Sequence, residues 1–282
     1  MEGYISMDTK ILTEVKQLFS LSNNLELIGS GGQKKVYKGR DESYGEIVVK
    51  IIELNSENVL KRALRELEIT SKLDGKEFPK VFKYDYIEVK DNKYIIVLEE
   101  YIQGPTLREY MKSKEMYLDE AIRIGKSLLM SLIKVHDNKL VHRDLKPENI
   151  IINRERTLLL DFGIARDLSE KSLTADLAIF GPMTIGYAAP EQVKNQKRLI
   201  CNRTDLFSWG LIMYEMITGY NPLIAGTNSR EEVLENTLTK KTTNLDCGNE
   251  LIDTVVNKCL EKTVHRRPSS AEHILKIMEG DI

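Results

Sequence analysis

Residues 142–149 read H-R-D-L-K-P-E-N, and twelve positions after Asn149 stands Asp161, the first residue of D-F-G. Asp144 offers a carboxylate that can accept or orient a hydroxyl proton, and Lys146, two residues on, offers a cation. Asn149 and Asp161 offer oxygen atoms suited to a hard divalent metal. These residue types at these spacings suit the transfer of a phosphoryl group from ATP to a hydroxyl. In that reaction positioning and charge stabilisation outweigh covalent chemistry.

The elements that must position these groups lie upstream and around them. Residues 25–39, L-E-L-I-G-S-G-G-Q-K-K-V-Y-K-G, put two alternating apolar runs on either side of glycines, the pattern of a hairpin. Gly29 and Gly31 would let the backbone approach an anion and bond its oxygens. Residues 46–54, E-I-V-V-K-I-I-E-L, read as a strand in which Lys50 must find a partner or reach water. Residues 56–73 carry a helical apolar face of Val59, Leu60, Ala63, Leu64, Leu67 and Leu73, with Ser56 available as a cap. Two further strands are expected over 81–86 and 94–98, and a long amphipathic helix over 118–136. The head of the chain holds Ile11, Leu12, Val15, Leu18 and Phe19 on one helical face. That helix either packs on the neighbouring β-rich part or serves a partner.

Taken together, residues 25–278 resemble the eukaryotic-type (Hanks-type) serine/threonine protein kinases. The resemblance implies an α+β, bilobal fold: a small, mostly β N-lobe with one main helix over 25–101 and a larger, mostly helical C-lobe over 102–278. Residues 1–24 would be a helical extension. It implies an ATP-dependent enzyme that phosphorylates Ser and Thr hydroxyls of protein substrates, itself included, with Mg2+ or Mn2+ as the metal. Lys50 would hold the α- and β-phosphates and pair with Glu66 of the R-E-L-E segment, with Asp144 and Lys146 completing the catalytic set. Glu68 points about 200° around the helix from Glu66. Gly29, Gly31, Val36 and Val48 would line the nucleotide, with backbone groups of Glu100 and Ile102 on the adenine edge. Glu99 would stand at the back of that pocket. Asn149 and Asp161 would hold the metal.

Two positions depart from the family pattern. Lys34 replaces the third glycine, where it either adds a charge near the phosphates or points to solvent. Val48 replaces a usual alanine, which narrows the adenine pocket. The segment from Asp161 to Glu191 matches the family's activation segment. There Thr184 is expected to bond Asp144 and Lys146 ahead of serving as a phosphosite, while Ser169, Ser172 and Thr174 are candidate phosphosites facing Arg143. Glu191 is expected to pair with Arg267, and Asp205 to bond the catalytic-loop backbone. His136 and His142 read as structural residues rather than as a ligand or a base.

Composition fits this reading. The 282 residues are 41% hydrophobic and 30% charged with a formal net charge of -2, so nothing points to nucleic acid or a membrane surface. No apolar run is long enough to span a bilayer, and the N-terminus is not a signal peptide. Cys201, Cys247 and Cys259 lack a metal-binding spacing and read as reduced thiols of a cytoplasmic protein. The chain stops soon after a helix expected over 270–278, so neither membrane anchor nor sensor repeat is expected, as in a soluble bacterial member. The intact catalytic set argues against a nucleotide-binding relative without turnover. The A-P-E end argues against a small-molecule phosphotransferase. Oligomeric state is not written in the sequence.

Overall fold

The computed structural model describes residues 7–21, 24–31, 34–54, 57–73, 76–90, 92–154, 156–160 and 184–281; the side chains at 7, 8, 57–59, 62, 65, 66 and 69 lie outside it. Two compact units account for these residues, the first drawn from 7–73 and 79–102, the second from 76–78, 103–160 and 184–281.

The first unit is built on a five-stranded antiparallel sheet ordered β1-β2-β3-β5-β4. Its strands are β1 (Glu26–Gly31), β2 (Lys34–Asp41), β3 (Gly45–Leu54), β4 (Val81–Val89) and β5 (Asn92–Glu100). Helix α1 (Met7–Phe19) precedes them, and α2 (Glu57–Thr70) follows β3 and contacts it. Strand alternation sorts the side chains onto two faces. Tyr37, Ile47, Val49, Ile51, Ile96 and Leu98 lie on one face and pack with Ile11, Val15, Phe19 and Leu21. The spacing of four between Ile11, Val15 and Phe19 places them on one side of α1, so a helical stripe covers a strand stripe.

Register defines the opposite face. Gly29, Val36, Lys50 and Val97 form one cross-strand row; Lys38, Val48 and Glu99 form the next. Gly29, Val36, Val48 and Lys50, all expected to meet a nucleotide, therefore share the face that α1 leaves uncovered. A register slip of one residue would exchange the two sets.

The second unit is mostly helical. It contains α3 (Leu107–Ser113), α4 (Leu118–Asp137), the hairpin of β6 (Ile150–Asn153) and β7 (Arg156–Leu159), α5 (Pro190–Val193), α6 (Asn202–Thr218), α7 (Arg230–Thr239), α8 (Glu250–Cys259) and α9 (Ala271–Glu279). Helix α6 is central: twelve of its residues are buried, Phe207, Trp209 and Tyr214 among them. It contacts α4 and α8. The approach to α4 depends on Gly125, where an added Cβ would lie 2.3 Å from the Met213 sulfur. At that point the Trp209 indole N–H donates to the Gly125 carbonyl at 3.0 Å. The β-rich first unit and the mostly helical second unit give the α+β class expected from the sequence. Among the described residues no helix is long and apolar enough to cross a membrane.

Phe19 is buried in the seam between α1 and the sheet. Phe19→Ala should cost about 3–5 kcal/mol, read as a lower melting temperature or denaturant midpoint. An unchanged midpoint would mean that α1 contributes little to the stability of the first unit.

Candidate active site

The catalytic loop enters the second unit through an unusual backbone. Arg143 adopts φ +63°, a left-handed conformation uncommon outside glycine. Asp205, fully buried near the start of α6, holds that conformation in place. Its two carboxylate oxygens accept from the backbone N–H groups of His142 and Arg143, each at 2.9 Å. Its Oδ2 also meets His136 Nε2 at 2.9 Å, at the end of α4. The expected bond from Asp205 to the loop backbone is thus present, and His136 is an additional partner that sequence reading did not assign.

His142 is buried. Its Nδ1 accepts from the Asp144 N–H at 3.3 Å, so Nε2 carries the proton and donates to the Leu160 carbonyl at 2.9 Å. Both ring nitrogens are engaged, which suits the structural role expected from the sequence.

Asp144, Lys146 and Thr184 form one cluster. The Thr184 hydroxyl donates to Asp144 Oδ1 at 2.8 Å and accepts from Lys146 Nζ at 3.1 Å, while Lys146 Nζ lies 3.3 Å from Asp144 Oδ2. The carboxylate is therefore fixed by a hydroxyl on one oxygen and an ammonium on the other. Asn149 ends a 3₁₀ turn, Pro147–Asn149, and its amide nitrogen donates to the Asp144 carbonyl at 2.9 Å. That bond orients the amide and leaves its Oδ1 as a hard oxygen donor of the kind magnesium prefers. Gly104 sits beside this region, where an added Cβ would lie 2.5 Å from the Ile152 carbonyl oxygen.

The support beneath the loop is dense. Gln192 donates to the Arg143 carbonyl at 2.8 Å. Glu191 and Arg267, both buried, pair through two bonds of 2.8 and 2.9 Å. Thr204 donates to the same Glu191 carboxylate at 2.8 Å. Arg108 of α3 forms a clamp not foreseen from the sequence. It donates to Glu148 at 2.8 Å and to Glu215 at 2.6 Å, and it also bonds the Tyr187 hydroxyl. Tyr187 donates in turn to Glu215, and burial pushes its phenol well above the usual range. One guanidinium thereby ties the catalytic loop to the segment carrying Tyr187 and to α6.

In the first unit Lys50 is buried, and its ammonium contacts the carboxylate of Glu99. The side chain of Glu66, the partner expected from sequence, lies outside the described residues, as do Asp161, Ser169, Ser172 and Thr174. Gly29 stands opposite Val36, and Val48 opposite Glu99. Gly31 pairs with Lys34, the residue that replaces the third glycine. Glu100 donates its N–H to the Lys80 carbonyl at 2.8 Å. Ile102, two residues further on, is buried.

The sequence profile described as "Protein kinase domain" matches residues 22–278. The chain belongs to the protein kinase domain family. It is 30% identical over 264 residues to the protein named "Probable serine/threonine-protein kinase CPE1738" of Clostridium perfringens, covering 90% of this chain and 37% of that protein. It is 29% identical over 264 residues to serine/threonine-protein kinase PrkC of Bacillus subtilis, covering 92% of this chain and 39% of PrkC. Serine/threonine-protein kinase PknL of Mycobacterium tuberculosis is 32% identical over 201 residues, 69% of this chain and 48% of PknL. The chain thus spans under two fifths of the first two relatives and about half of the third.

Lys262 lies beside the Glu191–Arg267 pair, and Arg267 donates to its carbonyl at 3.3 Å. Burial, with the charges of Arg267 and Lys240, lowers the Lys262 pKa from 10.5 to about 8. Below pH 8 the folded protein holds this lysine charged at full cost; between about pH 8 and 10.5 the unfolded chain binds more protons, so stability should rise with pH. The expected gain is on the order of 2 kcal/mol, read from denaturant unfolding across that window. Lys262→Met should remove this increment; an identical pH dependence in that variant would refute it.

Proposed function

We propose that the chain is an active ATP-dependent serine/threonine protein kinase that transfers the γ-phosphoryl group of ATP to Ser and Thr hydroxyls of protein substrates, itself included. The observation that carries this reading is the Asp144–Thr184–Lys146 cluster, a carboxylate held by a hydroxyl and an ammonium. In the proposed step the substrate hydroxyl oxygen bonds the γ-phosphorus and the bond to the β–γ bridging oxygen breaks. Asp144 orients the hydroxyl and takes its proton, late in a loose transition state. Lys146 stabilises charge on the transferring group. Lys50 binds the α- and β-phosphates. Glu66 is a further proposed partner for its ammonium.

Gly29, Gly31, Val36 and Val48 are proposed to contact the nucleotide. Register supports this for Gly29, Val36 and Val48, which share the Lys50 face of the sheet. Among the described residues no hydrogen bond engages the backbone N–H or C=O of Ile102, which leaves them available to the adenine edge together with the Glu100 carbonyl. Asn149 and Asp161 are the proposed ligands of Mg2+ or Mn2+, which when bound would neutralise charge on the phosphates. The orientation of the Asn149 amide fits that role. The proposed kinase domain is 25–278, with lobes over 25–101 and 102–278 and a helical extension over 1–24. Three free cysteines agree with a reducing, cytoplasmic setting.

Asp144→Asn should lower kcat by at least about a hundredfold with the fold intact. Phosphoamino-acid analysis of the autophosphorylated wild type should give phosphoserine and phosphothreonine. Full turnover in Asp144→Asn would overturn the assignment of the base, and predominant phosphotyrosine would overturn the acceptor class.

Regulation is proposed to run through a phosphate on Ser172 or Thr174 that pairs with Arg143. Phosphatase treatment should then lower kcat, and Ser172→Ala with Thr174→Ala should reproduce most of the loss. Equal turnover of both forms would remove this switch.

A further inference from the structure

Lys50 lies mid-way along β3, and Glu99 is the penultimate residue of β5. Register sets Lys50 opposite Val97 and Val48 opposite Glu99, so Lys50 and Glu99 are diagonal neighbours on one sheet face. Diagonal pairs of long side chains can meet, and here the ammonium and carboxylate are in contact. Their side chains are only 10% and 13% exposed, so solvent and salt screen the pair weakly. Both backbones belong to the same hydrogen-bonded ladder, so the sheet itself fixes their separation.

We propose that Glu99 is a positioning residue that directs the Lys50 ammonium towards the nucleotide phosphates. The inference rests on the reading that Lys50 binds those phosphates. An ammonium has three N–H donors on a flexible four-carbon stem. Committing one donor to a carboxylate anchored in the sheet restricts where the other two point. The carboxylate also offsets the cost of burying the cation. Once that charge is lost, more of the ordering of the lysine stem falls to the phosphates, and the entropy of doing so is subtracted from nucleotide affinity. Because Glu99 stands on a neighbouring strand, this restraint does not depend on the placement of α2, where Glu66 resides.

Equilibrium binding of ADP and of adenosine, with KM and kcat for ATP, tests the proposal in the full chain. Adenosine has no phosphates, so a change acting through Lys50 leaves its affinity alone, whereas a change in pocket shape alters both ligands. Glu99→Gln should weaken ADP about tenfold while adenosine stays within about twofold. KM for ATP should rise with the ADP dissociation constant, and kcat should fall less. Glu99→Asp, which keeps the charge on a shorter arm, should recover part of the loss. In a Lys50→Met background Glu99→Gln should add nothing.

ADP affinity in Glu99→Gln that equals or exceeds the wild type, or a parallel loss for ADP and adenosine, would overturn the proposal. If Glu99→Gln does not fold, Glu99→Asp carries the test: it should weaken ADP selectively, and equal effects on both ligands refute the role. Lys50→Met separates the two readings. Wild-type ADP affinity in that variant removes the phosphate-anchor reading and the inference with it. Weakened ADP binding in Lys50→Met beside unchanged binding in Glu99→Gln removes the inference alone.

Discussion

A buried carboxylate governs the second unit. Asp205 accepts from the N–H groups of His142 and Arg143 and meets His136. Two consecutive backbone donors on one carboxylate hold Arg143 in its left-handed conformation, which would otherwise cost the loop on the order of 1–3 kcal/mol. Asp205 is itself fixed because α6 is buried on nearly every side. The most deeply packed helix thus sets the course of the chain that carries Asp144, Lys146 and Asn149. The positions of these side chains follow from the core rather than from loop preference. Glu191, Arg267 and Thr204 extend the same logic to the chain around α5, through a pair whose charges and lone pairs are met on several sides.

In the first unit the governing constraint is alternation. One face of the sheet is given to α1 and is apolar; the other carries Lys50, Glu99 and the residues around them. The bulge between Leu27 and Gly29 resets alternation in β1, so that Gly29 falls opposite Val36 in the Lys50 row. Fixing a buried cation on such a face requires an anion on the same face. Strand β5 supplies one two positions along from Val97.

The loop over 142–149 stood out in the sequence because the chemistry proposed for it needs particular residue types at short, fixed separations; the contacts expected of Thr184, Asp205 and the Glu191–Arg267 pair from the same family pattern are present in the structure. The docking face of α1 was legible from its helical period, since Ile11, Val15 and Phe19 can share only one side. What escaped depends on long-range register. Glu99 meets Lys50 only because β3 and β5 pair in one register, and no local pattern specifies that. Arg108 is 40 residues from Glu148 and 107 from Glu215, and nothing around Arg108 hints at either partner. The capping box of Thr106 and Glu109 marks the start of α3 and so places Arg108, but it does not say where the side chain reaches.

The Arg108 clamp also bears on which tyrosines can be modified. Tyr187 is buried, and its hydroxyl is shared between Arg108 and Glu215. A phosphate on that oxygen would place close to two negative charges against the Glu215 carboxylate and compete with it for one guanidinium. The clamp therefore shields this tyrosine twice, by burying the acceptor oxygen and by making the phosphorylated product incompatible with the fold around it. Tyr117, with 73% of its surface exposed, carries neither safeguard.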